Sequence, residues 1–297
     1  MTSHIGEFAA LAVAFFWTIT ALAFEYAGNK VGSLAVNIIR LLFAFLFLSI
    51  FCSITRGNAL PTDASGEQWF WLSISGLIGF VLGDLFLFKS YGLIGSRLSM
   101  LVMTTVPPIT ALLGWLLLKE SMELKSYLGM SLTFIGVAIA VNARRKVADS
   151  KHHKFSIRGL IYAFGGAVGQ AVGLVLSKFG MGNYNAFAST QIRIITGIVG
   201  FVLLVILLKR VKPVLEAFTN KEGMKGIIIG SIFGPFLGVS LSLYSVQHTN
   251  AGIASTIMAI VPILIIVPSV FIFKQKITKA EIIGAIISVA GVALFFI

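Results

Sequence analysis

The sequence holds one cysteine, Cys52, and four histidines in 297 residues. A single thiol excludes an intramolecular disulfide framework and any multi-cysteine metal site. Lying in an apolar run, Cys52 reads as a small buried hydrophobe. His152 and His153 sit together in a basic stretch, while His4 and His248 stand alone, and none has a second ligand group at metal spacing. The patterns G-x-S-x-G, H-E-x-x-H and G-x-x-x-x-G-K-[ST] are absent, so a hydrolase, a zinc peptidase or an ATP-driven machine has nothing to rest on. The expectation is a protein that is not an enzyme and needs no cofactor.

Charge is the second scarcity. Only 11% of residues are charged and 57% are hydrophobic, with a mean hydropathy of +0.97. Soluble domains carry about 25% charged residues and cannot expose so much apolar surface. The formal charge of +12 is not laid out as a stripe. It falls in the links between apolar runs, where basic residues set membrane topology. The expected surroundings are therefore a lipid bilayer, with no nucleic-acid partner.

What the chain has in abundance is long apolar runs. About 20 residues cross a hydrocarbon core. Runs of that length fall at 5–27, 33–53, 68–90, 94–118, 124–143, 157–178, 185–208, 225–247, 250–273 and 277–297. The first begins near Ile5 without a basic leader and is long enough to span, so it reads as a span rather than a signal peptide.

The ten runs fall into two sets of five. LVMTTVPPITALLGWLLLKES at 101–121 is echoed by TIMAIVPILIIVPSVFIFKQK at 256–276. Met103, Val106, Pro107 and Lys119 recur 155 residues later as Met258, Val261, Pro262 and Lys274. Gly79, Gly83, Gly129 and Gly136 recur at the same offset as Gly234, Gly238, Gly284 and Gly291. Nearer the start of each half the offset is 153, relating Gly6 to Gly159 and Arg40 to Arg193. The expected fold is all-α and integral to the membrane: ten transmembrane helices as two five-helix repeats, 5–143 and 157–297, joined by a basic linker at 144–156. Five is odd, so the second repeat is inverted relative to the first, as in many secondary transporters with a substrate site at the repeat interface.

Lysine and arginine concentrate in the links after the fifth, seventh and ninth spans. The positive-inside rule then places these links in the cytoplasm and both termini outside. Glycines at four-residue spacing (Gly165, Gly169, Gly173 and Gly226, Gly230, Gly234, Gly238) read as close helix packing. Pro107, Pro108, Pro262 and Pro268 interrupt apolar runs. They read either as static kinks or as bent helices lining a pathway.

Polar groups inside such runs are costly and need partners, snorkelling or water. Arg40 and Arg193 are either structural or in contact with a solute. Glu25, Asp84 and Arg97 fall near the same membrane side as Arg40, so Glu25–Arg40 or Asp84–Arg97 pairs are sterically reasonable. The alternative is a polar gate or proton coupling, for which Asp84 leads; its repeat counterpart is Val239. Trp17, Asn37, Tyr91, Tyr162, Gln170, Gln191 and Tyr244 complete an expected aromatic and amide-lined substrate pathway. The working reading is a secondary transporter of a small-molecule metabolite by alternating access. A solute-binding receptor or scaffold without net flux is the alternative. Oligomeric state is left open by these features.

WLLLKE followed by LGMSLTFIGVAIAV, and FIFKQK followed by IGAIISVAGVALFF, give the sequence a family likeness over nearly its full length. It resembles the drug/metabolite transporter superfamily, particularly the bacterial EamA-like ten-helix exporters. Pro107, Glu120, Gly129 and Gly136 match the family pattern in the first half, and Pro262, Gly284 and Gly291 in the second. Gln275 replaces the second acidic residue, so Glu120 is expected to tie helix ends rather than bind cargo. The resemblance implies a multi-pass carrier of the bacterial inner membrane, exporting amino acids or related small metabolites. It also implies cytoplasmic termini, opposite to the charge bias.

Overall fold

The computed structural model describes residues 4–149, 156–266, 268, 271 and 278–294. Of the FIFKQK stretch at 271–276, all but Phe271 lies outside them, Lys274 and Gln275 included. The described residues fold into helices throughout. They are α1 (Ile5–Val31), α2 (Ser33–Arg56), α3 (Gly66–Gly76), α4 (Asp84–Val102), α5 (Val106–Leu118), α6 (Leu124–Asp149) and α7 (Ile157–Met181). There follow α8 (Ala186–Leu207), α9 (Val211–Ala217), α10 (Lys221–Ser231), α11 (Val239–His248), α12 (Ala251–Met258), α13 (Val261–Leu264) and α14 (Lys279–Ala293). Among the described residues, six helical stretches are long and apolar enough to cross a membrane: 5–31, 33–56, 66–118, 157–181, 186–207 and 221–248. Large apolar side chains such as Phe8, Leu46, Ile50, Ile54 and Leu203 face outward, as a lipid-facing surface requires.

The stretch 66–118 has 53 residues, which as one straight helix would run for about 80 Å. It is broken at Gly95, whose φ of 78° and ψ of 159° are not helical. That backbone conformation is open to glycine and strained for other residues. The helix is therefore kinked there, between α4's first part and its continuation towards α5.

Two π-helical segments interrupt the α-helices, Leu77–Gly83 between α3 and α4 and Ile232–Gly238 between α10 and α11. In both, the next residue's amide reaches back five positions, Asp84 to Gly79 and Val239 to Gly234. Such segments change the phase of the helix that follows. Pro107 and Pro262 do not kink continuous α-helices. Each stands at the second position of a new helix, α5 after the 3-10 turn Met103–Thr105 and α13 after a turn at Ala259–Ile260. Proline's missing N–H is tolerated there, in the first helical turn. Pro108 is exposed beside Pro107, and Pro268 is helical and half-buried.

Small residues bring the packed helices together. A β-carbon on Gly169 in α7 would lie 2.6 Å from the Gly83 Cα, and one on Gly173 would lie 3.0 Å from the Gly79 Cα. Ser75 donates to the Gly173 carbonyl at 2.6 Å beside this crossing. The other π segment meets α1 at the matching positions. Gly234 lies against Thr20, and Gly238 against Trp17. α6 packs on α14, with Gly136 against Gly284 and Ser288, and Gly291 against Gly129 and Thr133.

One end of the bundle is stitched by polar ties between its loops. Lys178 pairs with Glu120 at 2.5 Å and donates to the Thr249 carbonyl at 2.7 Å. Glu120 accepts from the Ala251 amide at 2.9 Å, so its carboxylate sits at the positive end of α12. It does join helix ends. Asn250 donates to the Ser121 carbonyl, and Gln247 to the carbonyls of Gly182 and Tyr184.

Candidate functional site

A cavity of about 100 Å³ lies between the helices. The first part of the chain contributes Trp17 and Phe24 from α1, Arg40 from α2, Phe80 from the first π segment, and Asp84, Phe88 and Tyr91 from α4. The later part contributes Gln170 from α7, Arg193 from α8, Pro235 from the second π segment, and Met258 and Pro262.

Arg40 is fully engaged. Its Nη2 meets Asp84 Oδ2 at 2.5 Å, and its Nε and Nη2 donate to Asn37 Oδ1 at 3.3 and 3.2 Å. The guanidinium also lies 4.8 Å from the Phe88 ring centroid, a cation–π arrangement. Asn37 sits one helical turn before Arg40 and supports it from behind without lining the cavity. The expected pairs, Glu25–Arg40 and Asp84–Arg97, give way at Arg40 to Arg40–Asp84. A shared membrane side puts Arg40 and Arg97 equally in reach of Asp84, and only the packing of α2 on α4 selects Arg40.

Arg193 stands differently. It is 5% exposed and lines the cavity, yet its guanidinium makes no hydrogen bond or ion pair among the described residues. Its Nε is buried without an acceptor, and its Cζ lies 4.8 Å from the Phe80 ring centroid. Val239 occupies the place that Asp84 has in the other half. Arg40 thus has a bonded carboxylate, whereas Arg193 feels the same Asp84 only through space.

A second cavity of about 370 Å³ lies beyond Phe24, Phe88 and Tyr91, which line both spaces. The rings of Phe24 and Phe88 are 5.1 Å apart, and those of Phe88 and Tyr91 are 5.3 Å apart and stacked. This aromatic trio separates the central cavity from a vestibule containing Glu25, Lys89 and Tyr162. Glu25 accepts from the Ser96 hydroxyl just after the Gly95 break. Arg97, next in sequence, is half-buried.

Of the anticipated pathway residues, Trp17, Arg40, Tyr91, Gln170, Arg193, Asp84 and Pro262 converge on the central cavity. Tyr162 lies in the vestibule, stacked on Phe86 at 5.8 Å. Gln191 turns away, donating to Ser49 Oγ and the Ala59 carbonyl at the stitched end. Asn37 precedes Arg40 by three residues and shares its face, whereas Gln191 precedes Arg193 by two and does not. Tyr244 packs on His248 at 4.3 Å. Sequence reasoning missed Phe24, Phe80, Phe88 and Pro235. Pro235, inside the Gly234–Gly238 stretch, carried the available signal.

These features define a multi-span helical membrane protein with a mainly apolar cavity that carries a few charged side chains and is contributed by both halves of the chain. The chain belongs to the EamA-like transporter family, which matches residues 4–142 and again 157–297. The Uncharacterized transporter YetK of Bacillus subtilis (strain 168) is 30% identical over 125 residues, which is 42% of this chain and 36% of that protein. The match thus spans little more than a third of the relative's length. A solved crystal structure of a protein shares the fold at 17% identity with a TM-score of 0.72, covering 98% of this chain and 96% of the other.

Proposed function

We propose that this chain is a secondary carrier of the bacterial inner membrane that exports amino acids or related small metabolites by alternating access. The observation that carries the reading is the central cavity, walled by both halves, with polar ties at one end and the aromatic trio at the other. A ten-helix arrangement of two inverted five-helix repeats, 5–143 and 157–297, is part of the proposal. The equivalent π segments at 77–83 and 232–238 and the exchanged contacts Gly79–Gly173 and Gly234–Thr20 support it. Contacts that recur with partners swapped are what a two-fold relation between halves produces.

The transport cycle would open the stitched end by breaking Lys178–Glu120 while the trio stays shut, and then reverse. Asp84 is the proposed proton-coupling group, since its protonation would release Arg40. No covalent step is required of the protein. Counterflow in proteoliposomes tests the reading: labelled amino acids and related metabolites should exchange across the membrane for at least one solute class. Saturable binding with no exchange of any bound solute would favour a receptor or scaffold instead.

A further inference from the structure

Three charged side chains line the central cavity: Arg40, Asp84 and Arg193. Asp84 is bonded to Arg40 at 2.5 Å and acts on Arg193 through space without a bond, so two guanidiniums share one carboxylate and one positive charge is left over. A guanidinium carries five N–H donors and no acceptor. Holding one 5% exposed between apolar helices with no bonded anion is costly. Here the second half of the chain supplies Val239 where the first supplies Asp84.

We infer that the missing anion is the solute, and that Arg193 binds the carboxylate of a small monocarboxylic acid lacking an α-ammonium group. This rests on the carrier reading of the cavity and narrows it. A carboxylate presents two oxygens in a plane, matching the fork of a guanidinium. Phe80 lies 4.8 Å from the Arg193 Cζ. The remaining wall includes Trp17, Phe24, Phe88, Met100 and Met258, which suits a short apolar body. The small volume, about 100 Å³, excludes large conjugates. An α-ammonium group would add a second positive charge to a cavity whose one carboxylate is already bonded to Arg40.

The test uses the full chain in lipid nanodiscs and four probes of matched shape: 3-methylbutanoate, 3-methylbutanamide, 3-methylbutylamine and valine. Valine differs from the first only by its α-ammonium group. Tryptophan fluorescence, to which Trp17 contributes from the cavity wall, reads binding. The acid should bind saturably and about tenfold or more tighter than the other three, the span expected of a charged hydrogen bond. Arg193→Gln should weaken the acid by a similar factor, and Arg193→Lys should restore part of the loss. Equal binding of the amide or valine, no binding of the acid, or full affinity in Arg193→Gln would overturn the inference. If Arg193→Gln does not fold, the wild-type series decides alone. Counterflow separates the two readings: acid binding without exchange sinks the carrier and leaves this site. Valine exchange unchanged by Arg193→Gln does the reverse.

Discussion

Lys178 and Glu120 meet at 2.5 Å across the two halves of the chain, at the end where loops 57–65, 119–123 and 182–185 gather. Both side chains are mostly buried, 20% and 12% exposed, so the pair is better sheltered than a surface salt bridge. Glu120→Gln keeps the shape and the bond from Ala251 but removes the charge. It should weaken closure here by about 1–2 kcal/mol. A cysteine introduced at Ser242, on the cavity wall, should then react faster with an impermeant thiol reagent applied from this side. An unchanged rate would remove the pair from the closure.

Asp84→Asn leaves Arg40 buried and half-paired. Breaking a buried ion pair in this way costs about 3–5 kcal/mol, so the midpoint of thermal unfolding should fall well below that of the wild type. The double variant Asp84→Leu, Arg40→Met should recover much of the loss, because two apolar residues replace two charges. If proton coupling runs through Asp84, flux in a folded Asp84→Asn protein should lose its pH dependence. Unchanged pH dependence would count against that role.

The α7 crossing leaves no room for a side chain. A β-carbon on Gly169 would stand 2.6 Å from the Gly83 Cα, closer than packed atoms come, so Gly169→Ala should destabilise by about 1–3 kcal/mol. A β-carbon added at Gly28 in α1 would meet nothing within 4 Å. Gly28→Ala should be neutral or stabilising by up to about 1 kcal/mol. Thermal unfolding of the two variants side by side measures the difference.

Asp63, in the link after α2, accepts from the Tyr184 hydroxyl at 2.8 Å and pairs with Arg56 at 2.5 Å. The Tyr184 bond and then the Arg56 charge hold its carboxyl below the usual aspartate range. Burial and the bond to Asp63 push the Tyr184 hydroxyl up to about 12. A lowered carboxyl stabilises the fold above its unfolded-state value, and that contribution is lost as pH falls through the lowered folded one. The stability gap between wild type and Asp63→Asn should therefore be present at neutral pH and close on acidification below about pH 4. The Tyr184 contribution has the opposite sense, complete below about pH 10 and lost as pH rises toward about 12. A gap that widened in acid would contradict the carboxylate assignment.

Much of this was legible in the sequence because it depends on composition and spacing. Scarce charge and repeated apolar runs announced a membrane protein. The offset of 155 residues, read from Met103 and Met258, is also the offset between the two π segments and between the starts of α6 and α14. What stayed hidden depends on helix packing and helical phase. Asp84 bonds Arg40 across 44 positions of sequence, a pairing set by how α2 and α4 pack, and no local residue pattern announces it. The trio of Phe24, Phe88 and Tyr91 was obscured for another reason: in a chain with 25 phenylalanines, a gating ring looks like any lipid-facing one. Gln191 was misplaced by a single residue of spacing, about 100° around the helix.

The Thr133 hydroxyl lies 3.5 Å from the carbonyl of Ser288, the residue 155 positions further on and hence its own counterpart. The flanking glycine contacts of α6 and α14 mirror one another in the same way. A contact between a position and its own image maps onto itself when the two halves trade conformations. It is the hinge pin of the proposed cycle, and distances across it should stay constant while those at both ends change.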